Sequence, residues 1–259
     1  MNETKKEKMK QYFFVIRELT SREIKRKYAR SYLGIVWSVL NPLMNMAVMS
    51  LIFSTMFKRN IENYPIYYLT GNILWSMFTT ITNTAMTSLV DNKTMLIKVK
   101  LPMIIFPLSR AYTALVNFGY SVVAYVVMLL VFQIPWNIYM PFFFIYVIGA
   151  FLFATGLGYL LSILYVHFGD IKHLWGVLLS LWMFLSALFY PIENVSLVMQ
   201  QVIRQNPMYV YIYSARKAIL YGQLPNTTEW IQMIAWSIGM YFLGWFVFKH
   251  FKRGVMQKI

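Results

Sequence analysis

The chain has 259 residues, of which 59% are hydrophobic and 13% are charged, and its mean hydropathy is +0.53. This composition excludes an ordinary soluble globular domain and indicates a polytopic membrane protein. The net charge of +15 comes from Lys and Arg in short segments beside apolar stretches, and without a recognition motif we do not expect nucleic-acid binding.

The first predicted element is a helix within residues 1 to 34, a region too polar for a signal peptide. Five of the nine residues from 22 to 30 are Lys or Arg, while apolar residues are spaced for a rough stripe. This pattern predicts an amphipathic helix on the cytoplasmic membrane surface, with its basic side toward anionic headgroups. The alternative is a solvated basic segment that only fixes the orientation of the chain.

Six apolar stretches follow, and each reaches or nearly reaches the roughly 20 residues that a helix needs to cross a bilayer. They lie at about 35 to 57, 66 to 90, 108 to 132, 142 to 166, 174 to 190 and 230 to 248. Starting from the cytoplasm, this arrangement puts both termini and most of the 24 Lys and Arg residues inside. We therefore expect a single all-α membrane domain over residues 1 to 259, with a six-helix bundle from 35 to 248 and a cytoplasmic tail from 249 to 259.

Small residues recur in the fourth predicted span. Ala150, Ala154 and Gly158 fall at every fourth position. This spacing permits close helix packing, within one protomer or between two, and does not by itself indicate a binding site.

The segment from 191 to 229, before the last span, is the longest predicted connection outside the membrane. It contains two apolar runs that are too short to span, near Leu197 to Ile203 and Val210 to Tyr221, with Asn206 and Pro207 between them. We predict a re-entrant hairpin that caps a pathway, since irregular backbone at membrane depth needs cover from protein or a water-filled cavity. A pair of interfacial amphipathic helices is the alternative.

The predicted spans lack the residue types that usually couple transport to an ion or catalyse a reaction. None of the spans has an ionisable residue at its middle, which does not favour a proton- or sodium-coupled carrier. None of the twelve glycines is followed by Lys, so the chain lacks a phosphate loop, and a separate subunit is expected to bind ATP and Mg and to hydrolyse the ATP. Zinc-protease and serine-hydrolase signatures are also missing, as is every Cys, so we expect no enzyme activity, cofactor or metal site in this chain.

Three segments carry a resemblance to a known family. The first contains Tyr28, Ser31, Tyr32, Leu33, Gly34, Ile35, Trp37 and Pro42, the second is Phe168 to Lys172, and the third is Asn206 to Tyr209. In this order they resemble the ABC-2 type permeases, most closely the subunits that export lipid-linked teichoic acid or O-antigen. The resemblance extends over nearly the whole chain, although Gly169 stands where the family often has Arg.

This resemblance implies a permease subunit that forms a homodimer and joins two ATPase subunits in the bacterial cytoplasmic membrane. Its substrate would be a lipid-linked cell-surface polysaccharide, with teichoic acid slightly favoured over O-antigen or a capsule-type glycan. The alternative function is efflux of a drug or another small amphiphile by an ABC-2 permease.

A substrate pathway is predicted from polar and aromatic residues in the first, second and fifth spans. Hydroxyl and amide groups exchange hydrogen bonds with a hydrated polymer, and aromatic faces stack on sugar rings. The alternatives are backbone-bonded or helix-linking hydroxyls, and aromatics that lie in the core or at the lipid interface. The predicted pathway residues are Trp37, Trp75, Phe78, Thr79, Asn83, Thr87, Trp182, Phe189 and Tyr190.

Two further sites are predicted at the two membrane surfaces. Lys27 and Arg30 are expected to attract the phosphate of the lipid-linked substrate at the inner leaflet. The outer gate is assigned to Asn206, Pro207 and Tyr209 in the segment before the last span.

The cytoplasmic loop from Asp91 to Pro107 predicts a short amphipathic helix that offers apolar side chains to a groove on a partner. In similar permeases this connection docks on the ATPase, and a smaller contact follows the fourth span. The alternative is that the lysines of the loop only obey the positive-inside rule. The predicted coupling residues are Asp91, Lys93, Met95, Leu96, Val99, Asp170 and Lys172.

Overall fold

The computed structural model describes residues 2–29, 31–57, 61–99 and 101–258. These residues contain helices and no β-strand, so the predicted all-α class is confirmed for the described part of the chain. The helices are α1 (Asn2–Tyr28), α2 (Trp37–Phe57), α3 (Tyr64–Asp91), α4 (Lys93–Lys98), α5 (Ile105–Val131), α6 (Phe143–His167), α7 (Ile171–Leu185), α8 (Leu197–Gln205), α9 (Pro207–Leu220) and α10 (Thr227–Lys258). Short 3-10 turns lie at Gly34–Val36, Met140–Phe142 and Ile192–Asn194.

Four segments in the described ranges are long and apolar enough to cross a membrane. They are Gly34–Met56, Ile105–Val131, Met140–His167 and Thr227–Lys252, and they coincide with the first, third, fourth and last predicted spans. The second predicted span lies in α3, whose 28 residues are long enough but more polar. The fifth lies in α7, whose 15 residues measure about 22 Å, less than the roughly 30 Å of the hydrocarbon core. The prediction of six spans is thus supported for four of them.

Helix α3 occupies the centre of the bundle, where it packs against α2, α5, α6 and α9. Its first half is apolar and aromatic on every side and is almost entirely buried, as expected for a helix enclosed by others. The bundle has two ends. We call the end formed by α1, α4 and the last turns of α10 the α1 end, and the opposite end, where α8 and α9 lie, the hairpin end.

Small residues bring α6 against its two neighbours, as their spacing predicts. Ala150 and Ala154 are fully buried, and a methyl group at Gly158 would lie 2.8 Å from the Cβ of Ala85 on α3. The closest approach involves Gly156, which faces Gly244 so tightly that a side chain on either one would strike the main chain of the other helix. The close contacts lie within one protomer.

Helix α1 lies along the first half of α5. Ile16, Leu19 and Thr20 are buried, and the Thr20 hydroxyl donates to the main-chain oxygen of Ser109 at 3.4 Å. Lys27 and the two basic residues before it remain exposed. The predicted amphipathic helix is therefore present, with its apolar side on the bundle and its basic side free for a membrane surface.

Helices α8 and α9 form a hairpin that matches the two short apolar runs. The α9 helix is buried on most sides against α3, α6 and α10, whereas α8 lies outside and exposes Leu197 and Val198. Asn206 links the two helices, and its side chain accepts a hydrogen bond from the main-chain N–H of Met208. Both helices are shorter than a membrane span, which fits the predicted hairpin; its depth in the membrane stays a prediction.

Candidate functional site

A row of uncharged polar residues runs along one side of α3 from its middle toward the α1 end. Thr79, Asn83 and Thr87 share this side at i, i+4 spacing, as predicted, and Asn83 is exposed while the two threonines are half-buried. Ser76 and Thr80 extend the row. We call these five residues the polar face of α3.

The polar face remains uncovered in a single protomer. The Thr79 hydroxyl donates to the main-chain oxygen of Ser76 at 3.1 Å. However, an exposed amide such as that of Asn83 costs free energy in hydrocarbon, so this side of α3 is unsuited to lipid. It suits a water-filled space or the surface of another chain. Uncharged hydroxyl and amide groups of this kind exchange hydrogen bonds with hydroxyl-rich molecules.

Several other hydroxyls of α3 bond to the main chain of their own helix, which was the alternative interpretation of the polar residues. The Thr82 hydroxyl donates to the main-chain oxygen of Phe78 at 3.0 Å, and the Thr84 hydroxyl donates to that of Thr80 at 2.7 Å. On the polar face, the Thr87 hydroxyl donates to the Asp91 carboxylate at 2.8 Å. The polar composition of α3 therefore serves both local bonding and an open surface.

The predicted pathway aromatics near the middle of the bundle form a packed cluster. Phe78 lies 5.4 Å from both Trp75 and Trp182, measured between ring centroids, and Phe153 and Trp175 complete the group. Phe78 has no exposed surface, and Trp75 is 7% exposed. In this conformation these two rings support the helix packing and present almost no surface to a substrate.

The remaining predicted aromatics lie at two separate places. Trp37 is 39% exposed at the start of α2, where the main-chain oxygen of the next residue accepts a hydrogen bond from Ser121 in the second half of α5. Phe189 and Tyr190 lie in the turn after α7 at the hairpin end, and Phe189 stacks on Tyr68 with ring centroids 5.9 Å apart. The structure does not bring Trp37 together with the other predicted pathway residues.

The predicted outer-gate residues tie α7 to α9. Asn206 accepts a hydrogen bond from the indole N–H of Trp182 at 2.7 Å and donates to the main-chain oxygen of Leu185 at 2.8 Å. Pro207 opens α9, where its missing N–H costs nothing. Tyr209, two residues later, is buried, and its hydroxyl has no hydrogen-bond partner in the described structure.

Lys27, one of the predicted headgroup residues, lines a small polar cavity of about 100 Å³ beside the middle of α3 and α5. Arg30 lies outside the described residues. The cavity reaches Ser76 and Thr80 on the polar face of α3. Its other polar lining residues, which the sequence analysis missed, are Ser38, Asn41, Asn117 and Ser121. Each is a hydroxyl or amide inside an apolar span, and that is the signal that would have found them.

The structure corrects one part of the predicted coupling segment. Leu96 is only 6% exposed and packs in a cluster with Leu89, Ile105 and Phe106, so it is not offered to a partner. A six-residue helix does not reveal from its pattern which side the rest of the chain covers. The exposed apolar residues are Ile97, at 62%, and Val99, at 46%.

The other predicted coupling residues lie on the surface of the α1 end. Lys93, Asp170 and Lys172 are exposed, while Met95 is half-buried. Asp91 is exposed and also pairs with Arg110, at 3.3 Å between carboxylate and guanidinium. Arg110 makes a second ion pair with Glu23 of α1, which joins α1, α3 and α5 at this end.

Arg216 of α9 is a functional candidate that the sequence analysis missed. It is 1% exposed, and its guanidinium donates to the main-chain oxygens of Tyr67, Ala187 and Leu188 at 3.0, 3.0 and 2.9 Å. The group also lies 3.4 Å from the ring centroid of Tyr67. No carboxylate of the described residues is within salt-bridge distance of it. The available signal was the pair Arg216 and Lys217, the two charged residues in the otherwise apolar and uncharged sequence of α9.

Taken together, the helical bundle, the apolar spans and the uncovered polar face define a multi-pass integral membrane protein with a surface suited to polar substrates. The chain belongs to the ABC-2 type transporter family, whose family model matches residues 15–220. The family resemblance seen in the sequence is thereby confirmed.

The chain is also similar in sequence to named proteins along most of its length. The chain is 30% identical over 233 residues to the O-antigen export system permease protein RfbA of Myxococcus xanthus, with 88% of each chain covered. It is 25% identical over 210 residues to the protein of the same name in Klebsiella pneumoniae, with 80% of each covered. It is 26% identical over 249 residues to the capsule polysaccharide export inner-membrane protein CtrC of Neisseria meningitidis serogroup A, covering 93% of this chain and 92% of the relative.

Proposed function

We propose that the chain is the transmembrane subunit of an ATP-driven exporter that moves lipid-linked surface polysaccharide across the bacterial cytoplasmic membrane. The observation that carries this proposal is the similarity to O-antigen and capsule export permeases over nearly the full length of the chain. ATP hydrolysis is assigned to a partner subunit. Among the possible polysaccharide substrates, the names of these relatives favour an O-antigen or a capsule-type glycan. They do not support teichoic acid.

The polar face of α3 supports this function. A glycan presents many hydroxyl groups, and uncharged Thr, Ser and Asn side chains exchange hydrogen bonds with it without holding it through charge. Two copies of the chain with these faces toward one another would enclose a hydrated passage and keep the polar groups out of lipid. We therefore propose a homodimer with two ATPase subunits.

The cavity beside Lys27 suits the membrane end of the same substrate. A cationic side chain next to hydroxyl and amide groups binds a phosphate that carries the first sugar. Because the cavity reaches Ser76 and Thr80, a substrate bound there lies beside the proposed passage.

The proposed function is tested by deleting the gene in its source bacterium and restoring it from a plasmid. We expect surface polysaccharide, measured by gel electrophoresis of cell envelopes, to disappear in the deletion strain and to return on complementation. Susceptibility to amphiphilic drugs should not change. A deletion strain with normal polysaccharide and increased drug susceptibility would instead establish drug efflux.

Coupling to the ATPase is tested by the double substitution Ile97→Asp and Val99→Asp. Both side chains are exposed, so we expect normal membrane insertion and loss of polysaccharide export, because the apolar contacts with the ATPase would be lost. The control makes matching changes, Ile138→Asp with Leu224→Asp, at two exposed apolar residues in connections at the hairpin end. Co-purification of the ATPase with each variant is the measurement, and unchanged co-purification and export in the double Asp variant would exclude this contact.

The orientation of the chain is tested by single cysteines at two exposed positions, Gln223 at the hairpin end and Lys93 at the α1 end. We expect an impermeant thiol reagent to label Gln223→Cys in intact cells and to label Lys93→Cys only after lysis. Because the chain has no native Cys, labelling reports these sites alone. Labelling of Lys93→Cys in intact cells would invert the proposed topology.

A further inference from the structure

A cavity of about 350 Å³ lies at the hairpin end, between the start of α3, the turn after α7 and the helix α9. Its volume falls within the range of small-ligand pockets. The lining residues are Ile61, Tyr67, Pro191, Ile192, Glu193, Tyr209, Tyr213, Arg216 and Tyr221. The polar face of α3 does not contribute to it, so the cavity is separate from the proposed passage.

Tyrosine dominates this cavity, since four of its nine lining residues are tyrosines. Tyr209 and Tyr213 stack with ring centroids 5.3 Å apart, and the Tyr213 ring is also covered by the Lys217 ammonium at 4.8 Å. Tyr209 is 4% exposed, and its hydroxyl is buried without a hydrogen-bond partner. Since that oxygen is itself buried, the tyrosine that the wall leaves open to a ligand is Tyr221, which is 50% exposed.

Two groups of opposite charge complete the wall. Arg216 contributes a cation that is fixed by three main-chain oxygens and by the face of Tyr67. Glu193 contributes an exposed carboxylate, which is an acceptor for hydroxyl groups. The exposed ring of Tyr221 beside the exposed carboxylate of Glu193 matches a ligand that has both an apolar ring face and hydroxyl groups.

From this combination we infer that the cavity at the hairpin end is a binding site for a saccharide unit, one that holds the emerging end of the glycan after it leaves the passage. The inference rests on the proposed function, because it takes the exported polymer as the source of the saccharide. The exposed ring of Tyr221 stacks on a sugar face, and Glu193 accepts hydrogen bonds from sugar hydroxyls.

Other ligand classes fit the cavity less well. An anion would meet the Glu193 carboxylate, and it would find three guanidinium donors of Arg216 already engaged. A lipid chain would bury the charged and hydroxyl groups of the wall without hydrogen bonds. A saccharide satisfies the polar groups and covers the rings.

The test measures saturation-transfer NMR on the full-length chain in lipid nanodiscs. The probe is the lipid-free oligosaccharide released by mild acid from the surface polysaccharide of the source bacterium. The variant carries Glu193→Gln and Tyr221→Leu, since these are the two exposed lining residues and their replacement leaves the buried wall intact. The matched control carries Glu62→Gln and Tyr32→Leu, the same changes at exposed residues that do not line the cavity.

We expect the native chain and the control to bind the oligosaccharide equally well. The variant should bind it at least about tenfold more weakly, because a hydrogen bond to a charged group and a stacking face are lost. Absence of binding by the native chain, or equal binding by variant and control, would overturn the inference. Displacement of the oligosaccharide by an equal concentration of sodium pyrophosphate would overturn it too, in favour of an anion site.

If the deletion strain lacks surface polysaccharide while the native chain binds no oligosaccharide, the inference fails and the proposed function stands. A deletion strain with normal polysaccharide refutes the proposed function itself.

Discussion

The substitution Arg216→Met is expected to have the largest effect on stability of any single replacement at the hairpin end. It removes the donor shared by three buried main-chain oxygens, which come from α3 and from the turn after α7. The Tyr67 oxygen keeps its bond within α3, but the two oxygens of the turn after α7 lose their donor at roughly 1–3 kcal/mol each, so we expect a loss of at least about 2 kcal/mol. The measurement is thermal unfolding of the purified chain in detergent, with a midpoint lowered by about 4–8 °C or more.

Two companion variants separate the causes of this loss. Arg216→Lys keeps the charge but lacks the planar fork that reaches three oxygens at once, so its midpoint should fall between those of the native chain and Arg216→Met. Arg204→Met removes an exposed cation from α8 and should change stability by less than about 0.5 kcal/mol. An Arg216→Met variant as stable as Arg204→Met would show that the three hydrogen bonds contribute nothing.

The second large effect is expected for Gly156→Ala. A methyl group at this position would lie 2.6 Å from the carbonyl carbon of Met240, and the obstacle is main chain, which cannot rotate away. Overpacking of this kind costs about 1–3 kcal/mol, and here α6 and α10 must separate to relieve it. We expect a lower thermal midpoint and reduced amounts of the chain in membranes.

The matched control is Gly239→Ala on α10, where a methyl group meets no atom within 4 Å. Alanine is the better helix former by roughly 0.5–1 kcal/mol, so this variant should be as stable as the native chain or more stable. Equal midpoints for the two variants would show that α6 and α10 do not approach at Gly156.

Helix positions and helix packing were predictable because they follow from local patterns. The spacing of Ala150, Ala154 and Gly158 predicts close contact, and the structure places it on α3. The two short runs before the last span predict α8 and α9 to within a few residues. Both the spacing of small residues and the length of an apolar run depend only on residues that are close in the sequence, so they can be recognised without the structure.

The role of Arg216 was not predictable, because its partners lie 149, 29 and 28 residues away and are main-chain oxygens, which leave no motif in a sequence. The burial of Leu96 depends likewise on α5, which covers one side of a six-residue helix. For the polar residues of α3 the sequence allowed both local bonding and an open surface, and the structure assigns Thr82 to the first and Asn83 to the second.

The uncharged character of the polar face of α3 has a consequence for the product of export. A smooth row of hydroxyl and amide groups offers no strong stopping point, so under the proposed function a glycan slides along it in steps that need not match its repeating unit. Such a surface does not bind any one repeating unit or the end of the polymer more strongly than the rest, so it does not select a polymer length. The chain-length distribution of the exported glycan would then be determined during its synthesis, and replacing Asn83 should change the rate of export without changing that distribution.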